Sequence, residues 1–513
     1  MRKRVKQTGE KAISVNAVAG TYVVLLAMDA NEGARKGLLG FAIHRTDKTQ
    51  NEQYWLNGFR TFKESDPTPT PGSLVSTHTA PVQSFIWGDY TAFPNNSYVY
   101  KVVPVYGSPK NLTYGTEVEV AITTENEDNQ EFAIYFNRGA AGSQAYARKF
   151  GNKTPEVAGP EAFKWLSRGL MESILAFIGK AKGSQYAIRT AAYEFSNADV
   201  LNAFKQAAAS GADVKIVYDA RENKTGPKKA SDEAIKKAGI RELMTPRTSD
   251  PAYISHNKYI ILLKDGVPIE VLMGSTNFTD GGIYGQSNVV HIIRDEKIAA
   301  MYLEYWTMLS KDTPVKELRP WTVEKTPTPT DEFKDGVQPI FSPRSSDDAL
   351  QWYSNTIDNS KILVGFTAAF GVNDYFADVM IKNINNTRYV LFEKKPPAPN
   401  LNKPEKGPSK AYEAYLKYTE VHNNNIAIGE ILAQKAIGDS EFHRWLGEKL
   451  SGLNAMVKYL HTKYLFVDPL SDDPLVISGS ANFSNASTVN NDENMILIRG
   501  NTMVADIYFT EFM

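Results

Sequence analysis

The segments His256-Asn257-Lys258-Tyr259 and Gly274-Ser275-Thr276-Asn277-Phe278 decide the fold of this chain, because both recur further along it. The second copies are His461-Thr462-Lys463-Tyr464 and Gly479-Ser480-Ala481-Asn482-Phe483. In each copy the Gly stands 18 positions after the His, and the Asn stands 21 positions after it. Either segment alone is common in unrelated proteins, but the pair repeated at one spacing predicts an internal duplication.

The residues around each copy predict two similar α/β halves. Each His-x-Lys-Tyr opens an apolar, strand-like run, and a second such run leads into each Gly-Ser, so a hairpin would bring the two segments together. Upstream, each half has a β-α-β order with short connections, which predicts a parallel or mixed sheet covered by helices. The predicted elements are Tyr186–Tyr193, Asp199–Ser210 and Val214–Asp219 in the first half, and Lys361–Thr367, Asn373–Asn385 and Thr387–Glu393 in the second.

The N-terminal part of the chain has a different pattern, which predicts an all-β sandwich. Tyr98-x-Tyr100-x-Val102, followed by Pro104-Val105-Tyr106-Gly107, resembles the late strand of a fibronectin type III module. We therefore expect a β-sandwich at 1–125, a first α/β half at 130–325 and a second half at 331–513. The predicted strands of the sandwich are Tyr22–Met28, Leu38–Arg45, Gln83–Trp87, Ser97–Val105 and Gly115–Thr123, the predicted linker between the halves is Thr326–Thr330, and a predicted surface insertion covers Lys394–Lys410.

The repeated residue types are suited to phosphate chemistry. In an extended strand, residues i and i+2 point to one face, so His-x-Lys places an imidazole beside an ammonium group. The Ser hydroxyl and the Asn amide can donate hydrogen bonds to phosphate oxygens, and the preceding Gly lets the backbone approach closely. With two copies, one His can attack phosphorus while the other protonates the leaving alkoxide and then activates water. The candidate site residues are His256, Lys258, Ser275, Asn277, His461, Lys463, Ser480 and Asn482, with Gly274 and Gly479 in support.

These motifs resemble the phospholipase D superfamily, whose signature is His-x-Lys-x4-Asp with a downstream Gly-Ser-x-Asn. The second copy matches in full, since Asp468 follows Lys463 at the family spacing and Glu493 lies further on. In the first copy Leu263 replaces the Asp, and Gln286 or Ser287 is expected at the position of the Glu. The resemblance implies two halves packed with pseudo-twofold symmetry around one site, a covalent phosphohistidine on His256, and His461 as general acid and base. Asp468 and Glu493 are then expected to be supporting residues.

Composition narrows the class of protein. The 513 residues include no Cys, so Cys-ligated metals and disulfides are excluded, and no other metal-ligand spacing is visible. We therefore expect no cofactor. The 57 Lys and Arg residues balance 58 Asp and Glu residues, which does not favour a broad nucleic-acid-binding surface. No signal peptide or membrane-spanning run is visible in the sequence, which predicts a cytoplasmic protein, with unconventional secretion left open.

The site chemistry predicts a phosphodiester substrate without fixing what is attached to it. We slightly favour a phospholipid, with interfacial membrane contact through apolar loops at Phe370–Val372 and Phe278–Tyr284. The first alternative is an endonuclease that cleaves DNA or RNA. Basic residues such as Lys228-Lys229 and Lys236-Lys237 would then supply a basic groove for the nucleic acid. The second is an inactive phosphate-binding scaffold whose β-sandwich binds a protein partner that the sequence does not identify. Tyr193 and Glu194, at a strand end, are candidates to line the pocket, but packing is the favoured interpretation.

Overall fold

A computed structural model describes most of the chain, as two compact units. The described residues are 1–68, 73–139, 144–151, 153–223, 226–330, 333, 335–369, 371–399, 407–429 and 460–513. Phe370 and residues 400–406 of the predicted insertion lie outside them. The first unit comprises Met1–Glu127 and Thr502–Met513, and the second comprises Asp128–Asn501. Within the described ranges, no helix has the length and apolar character that a membrane crossing requires.

The first unit contains two antiparallel sheets that enclose one hydrophobic core. One sheet has the order β1-β2-β3-β8, and the other has the order β10-β9-β4-β5, with β11 also paired to β9. Alternating residues of β2 and β4, such as Val15, Ala17 and Ile43, fill the core. The strands are β1 Arg2–Lys6, β2 Ile13–Ala19, β3 Val24–Ala30, β4 Gly40–Asp47, β5 Glu52–Trp55, β6 Asn57–Gly58, β7 Val75–Ser76, β8 Ile86–Asp89, β9 Ser97–Ser108, β10 Asn111–Tyr114 and β11 Val118–Thr123, and a short helix α1 covers Glu32–Arg35.

The last helix of the chain, Thr502–Phe512, is part of this first unit and contacts β2. Its buried Asp506 accepts a hydrogen bond from Arg2 Nε at 2.7 Å. A Cβ atom on Gly20 would lie 2.0 Å from Thr510 Oγ1, so the helix packs where only glycine fits. The first unit is therefore completed by residues that follow the whole of the second.

The second unit is mixed α/β and contains two seven-stranded sheets with the same strand order. The first is ordered β12-β18-β17-β16-β13-β14-β15 and the second β19-β25-β24-β23-β20-β21-β22, so each strand has a counterpart in the other sheet. The strands are β12 Phe132–Phe136, β13 Tyr186–Ala192, β14 Asp213–Asp219, β15 Met244–Arg247, β16 Lys258–Lys264, β17 Val267–Gly274 and β18 Val289–Ile293, then β19 Gly336–Ser342, β20 Leu363–Ala368, β21 Thr387–Phe392, β22 Asn424–Ile428, β23 Tyr464–Val467, β24 Leu475–Gly479 and β25 Glu493–Arg499.

Helices cover both sheets because each βαβ crossover leaves its helix on a sheet face. Helix α6 is an example: Val200, Leu201 and Phe204 are buried against the first sheet, and Asn197 caps the helix by accepting from Val200 N at 3.0 Å. The helices are α2 Gln144–Phe150, α3 Pro155–Ala158, α4 Pro160–Ser167, α5 Leu170–Ile178, α6 Ala198–Ala209, α7 Lys228–Ala238, α8 Glu296–Ser310, α9 Val315–Lys325, α10 Asp348–Asp358, α11 Asp374–Met380 and α12 Lys410–Thr419.

The two motif hairpins have different turns. Between β16 and β17 the turn is Asp265-Gly266, and both residues have positive φ, as a two-residue turn requires. Between β23 and β24 the turn is longer, and Asp468 organises it by accepting backbone hydrogen bonds from Lys361, Ile362 and Leu363 at 2.8 to 3.0 Å. Asp468 thus stabilises the turn of the second hairpin, and the shorter turn of the first hairpin forms without such a residue.

A buried ion pair joins the two halves of the second unit. Arg247 donates from Nε to Asp492 Oδ2 at 2.8 Å and from a terminal nitrogen to Oδ1 at 3.2 Å. Both residues are 3% exposed. Alanine at 492 would leave the guanidinium buried with less compensation, so we expect Asp492→Ala to lower the free energy of unfolding in urea by about 3 kcal/mol.

The exposed pair between Arg499 and Asp473 provides the matched control for this substitution. Because solvent screens it, Asp473→Ala should cost no more than about 1 kcal/mol. Equal losses for the two variants would show that the buried pair does not tie the halves together.

Candidate active site

The four motif segments meet where the two sheets face each other. The backbone of the first half pairs with that of the second at Ser255 with Asp492 and at Ser287 with Leu460. His256 N donates to Asp492 O at 2.9 Å, and His461 N donates to Ser287 O at 3.2 Å. The backbone of each His is therefore anchored to the opposite half by a hydrogen bond. This bond limits where the imidazole ring can lie.

The first imidazole is held by a carboxylate of the other half. His256 Nδ1 lies 2.8 Å from Glu493 Oε2, and Ser480 Oγ donates to the same oxygen at 2.7 Å. His256 is 7% exposed and Glu493 is 1% exposed. Because Nδ1 is engaged with the carboxylate, reaction chemistry at this imidazole falls to Nε2.

The second imidazole is held by an amide of the other half. His461 Nδ1 lies 2.8 Å from Asn288 Oδ1, and Ser275 Oγ donates to that oxygen at 2.8 Å. Asn288 Nδ2 donates to Gly282 O at 2.8 Å, which directs Oδ1 toward the imidazole. Since an amide oxygen only accepts, His461 Nδ1 must carry the proton, and Nε2 is again the reactive atom.

Asn288 is thus the counterpart of Glu493, and the expectation of Gln286 or Ser287 at this position was wrong. Asn288 immediately precedes β18, and Glu493 opens β25, the equivalent strand. Each stands 11 positions after its motif Asn. This shared offset was the signal in the sequence that could have identified Asn288, whereas its contact with the opposite half depends on strand register.

Two lysines are buried beside the imidazoles. Lys258 and Lys463 are each 1% exposed, and each Nζ donates to the backbone carbonyl of the His two residues before it. Burial lowers the pKa of Lys258 to about 8, and burial together with Lys258 lowers the pKa of Lys463 well below its usual value. Burial and the two lysines likewise hold the pKa of His256 and the pKa of His461 well below their usual range. The site therefore favours neutral imidazoles until an anion binds.

The pKa of Glu493 is raised in the same surroundings that lower the pKa values of the lysines and imidazoles. Burial raises the pKa of Glu493 to about 8, while Lys258, Lys463 and the hydrogen bond from Ser480 act to lower it. Burial thus favours the neutral form of Glu493 before an anion binds, and positive charge on the His256 ring would favour its carboxylate.

A pair of carboxylates positions the residue before each His. Asp219 accepts from Ser255 N at 3.1 Å, and Glu393 accepts from Leu460 N at 2.7 Å. Asp219 ends β14, and Glu393 follows the equivalent strand β21. The sequence interpretation missed both residues, although an acidic residue at the end of the second strand of each βαβ unit was a signal that could have revealed them.

The motif Asn residues have different surroundings. Asn277 Nδ2 donates to Glu194 Oε2 at 2.6 Å, while Asn482 borders a cavity. The Tyr193 ring lies 4.8 Å from the His256 ring, and Lys258 Nζ lies 5.1 Å from the Tyr193 ring centre. Tyr193 and Glu194 are therefore parts of the site as well as packing residues.

The motif glycines allow the strands to approach each other. A Cβ on Gly274 would lie 2.1 Å from Val289 O, and one on Gly479 would lie 2.2 Å from Asn494 O. Within the part of the chain that the structure describes, no three His, Asp or Glu side chains cluster as metal ligands would. The independence from metals stays a prediction.

Comparison with known protein families gives a match to two segments that together make up less than half of the chain. Residues 174–309 and 418–512 match a family model described as "Cardiolipin synthase, PLD-like domain". The second unit is mixed α/β, and these two segments are similar to a phospholipase D-like domain, which supports the superfamily that the motifs resemble. Comparison with curated proteins gives no match.

Several solved structures are similar to parts of the chain. Phosphatidylserine synthase from Haemophilus influenzae Rd KW20 is 13% identical over 67% of this chain and 84% of that protein, with a TM-score of 0.42. Nuc from Salmonella typhimurium, described as a phospholipase D family member, is 26% identical over 36% of this chain and 96% of that protein, with a TM-score of 0.25. Polyphosphate kinase from Porphyromonas gingivalis is 12% identical over 64% of this chain, with a TM-score of 0.39, and this chain spans 45% of its length.

Proposed function

We propose that this protein is a metal-independent phosphodiester hydrolase that acts through a covalent phosphohistidine. One observation carries the proposal: each motif His is buried and is held at Nδ1 by a side chain of the opposite half. Both reactive Nε2 atoms belong to one site, and two buried lysines accompany them. Two imidazoles with distinct partners are what a two-step displacement at phosphorus requires.

The proposed first step forms a P–N bond and breaks a P–O bond. His256 Nε2 attacks phosphorus, and the carboxylate of Glu493 stabilises the positive charge that develops on the imidazole. His461, protonated when the phosphate anion is bound, passes its proton from Nε2 to the leaving alkoxide. The ammonium groups of Lys258 and Lys463 stabilise the negative phosphate oxygens.

The proposed second step reverses these roles. Neutral His461 removes a proton from water, the water oxygen attacks phosphorus, and the bond to His256 Nε2 breaks. The products are an alcohol and a phosphomonoester, and the enzyme returns to its starting state. Asn277 and Asn482 are proposed to donate hydrogen bonds to phosphate oxygens, which requires Asn277 to exchange its bond with Glu194.

Phospholipid is the substrate class that the sequence slightly favours, but one of the two apolar loops predicted to contact lipid is not exposed. The segment Phe278–Tyr284 was expected to be an exposed, lipid-contacting loop. Phe278, Ile283 and Tyr284 are instead 1%, 0% and 8% exposed, because they pack into the core of the first half. The other predicted loop includes Phe370, which lies outside the described residues. Nucleic acid therefore stays a candidate substrate beside phospholipid.

The deciding assay offers the purified protein phosphatidylcholine and, in parallel, single- and double-stranded DNA, with EDTA present throughout. We expect one substrate to be cleaved in the chelator and the activity to be lost in His256→Ala, while His422→Ala, a change at an exposed His, retains it. Choline release with intact DNA would identify a phospholipase D, and cleavage of DNA with intact lipid would identify a nuclease. Activity that disappears with EDTA, or that survives in His256→Ala, would contradict the proposal.

A further inference from the structure

A cavity of about 150 Å³ lies beside the second motif. Lys463 and Asn482 form its polar edge. Thr367, Asn373 and Ser484 add uncharged polar groups to the wall. Its apolar members are Phe366, Ala368, Ala369, Val372, Phe376 and Phe483. Among the described residues that line it, no side chain is acidic. The cavity therefore borders the candidate active site, and its wall combines aromatic and aliphatic side chains with polar ones.

In the first half a tyrosine occupies the position equivalent to one wall residue of this cavity. Phe366 pairs with Leu465 as Thr190 pairs with Ile260, so three residues further on Ala369 is the counterpart of Tyr193. The Tyr193 ring lies against His256, at a centroid distance of 4.8 Å. The cavity wall includes Lys463, whose Nζ donates to the backbone carbonyl of His461, so the cavity lies near that His. Ala369 also packs with Leu460, the residue before that His.

The position of the cavity indicates which part of a substrate it would hold. In the proposed mechanism His256 attacks phosphorus and the leaving group departs in line, on the side of its general acid. That acid is His461, so the cavity lies on the leaving-group side.

The size and chemistry of the cavity indicate what kind of group it would hold. An apolar cavity of about 150 Å³ accommodates a benzene ring. Phenylalanine rings favour a planar aromatic group through offset or edge contacts. The nearby lysine and the lack of an acidic lining side chain disfavour a cation such as choline.

We propose that this cavity is a subsite for an uncharged aromatic ring carried by the leaving alcohol, such as a nucleoside or a benzyl-type group. The proposal rests on the proposed function and deepens it, because it names a property of the substrate. A long acyl chain exceeds this volume, and a methyl group would leave the aromatic wall without contacts.

The test uses the proposed phosphohistidine and the reversibility of its formation. Bis(p-nitrophenyl) phosphate forms the intermediate and releases p-nitrophenolate, and an added alcohol then competes with water from the leaving-group side. The alcohol oxygen attacks phosphorus, its proton passes to His461, and the bond to His256 breaks. The acceptors are ethanol, benzyl alcohol, thymidine, 1-octanol and choline at equal concentration, and the diester products are quantified by mass spectrometry.

We expect benzyl alcohol and thymidine to be captured at least about tenfold more than ethanol, the effect of burying a ring-sized apolar group. Ala369→Tyr and Val372→Phe each place a larger side chain in the cavity, and each should bring the ratio of benzyl to ethanol capture close to one. Val267→Phe, at an exposed hairpin position, is the matched control and should keep the wild-type ratio.

The outcomes separate the two proposals. Absence of p-nitrophenolate release would overturn the proposed function itself. Release with equal capture of all alcohols, or a wild-type ratio in both cavity variants, would overturn the subsite alone. Preferred capture of choline or of 1-octanol would also overturn it, in favour of a cationic or a long-chain leaving group.

Discussion

Replacing His461 by alanine is expected to turn the protein into a single-turnover reagent that traps phosphate on His256. Bis(p-nitrophenyl) phosphate has a good leaving group that needs no proton, so the first step should proceed without His461. The second step needs a base to activate water, so the intermediate should persist. We expect a burst of one p-nitrophenolate per site, followed by a steady rate lowered by about 10² to 10⁴.

The trapped species gives this prediction a residue-level readout. Mass spectrometry of digested His461→Ala should place an acid-labile phosphoryl adduct on the peptide that contains His256. The variant His256→Ala should show neither burst nor adduct, since it lacks the nucleophile. A burst in His256→Ala with the adduct on His461 would reverse the two roles, and no burst in either variant would argue against a covalent intermediate.

Glu493→Gln is expected to produce the second large effect. Gln can still accept a hydrogen bond from His256 Nδ1, but it does not neutralise the positive charge that phosphorylation places on the ring. Removing the carboxylate partner of a catalytic imidazole has cost about 10⁴ in rate in a serine protease, and we expect a loss of about 10² to 10⁴ in kcat here. A rate within about threefold of wild type would show that the carboxylate has only a structural role.

The reciprocal substitution Asn288→Asp is the matched control, because Asn288 holds His461 as Glu493 holds His256. The pKa of His461 lies well below its usual range, so its acid form is lost as the pH rises through that low value. A carboxylate at 288 would raise this pKa. The falling limb of kcat/KM against pH should then move to higher pH for alkyl leaving groups, which need the acid, and stay in place for p-nitrophenyl esters.

From the repeated motifs, the helices and strands of the second unit could be predicted better than its long-range contacts could. A hairpin pattern and a βαβ order are local, and β16–β17 and β23–β24 are the antiparallel pairs that the sequence indicates. The contact between Asn288 and His461 joins residues 173 apart, and it depends on where β18 begins. The equal offset of Asn288 and Glu493 from their motif Asn residues is visible in the sequence, but the contact of Asn288 with the opposite half is not.

Burial at the edges of the site was also hard to predict. Phe278–Tyr284 has the composition of an exposed apolar loop, yet it packs into a core supplied by distant elements. Tyr193 was interpreted as a packing residue and lies against a candidate nucleophile, because a residue that follows a parallel strand reaches the carboxyl edge where the site forms. Tyr193 has a large side chain, and Ala369, at the equivalent position, has a small one. This difference becomes visible only when the two halves are aligned by strand register.

The helix Thr502–Phe512 has a consequence for the order of folding on the ribosome. The sheets of the first unit emerge early, but the helix that contacts β2 is made only after Asp128–Asn501. At about 5 to 20 residues per second, that delay is about 20 to 75 s. During this time the face of β2 that the helix will cover lacks that helix, so the nascent N-terminal region should be most susceptible to chaperone binding and proteolysis until Thr502–Phe512 has been made.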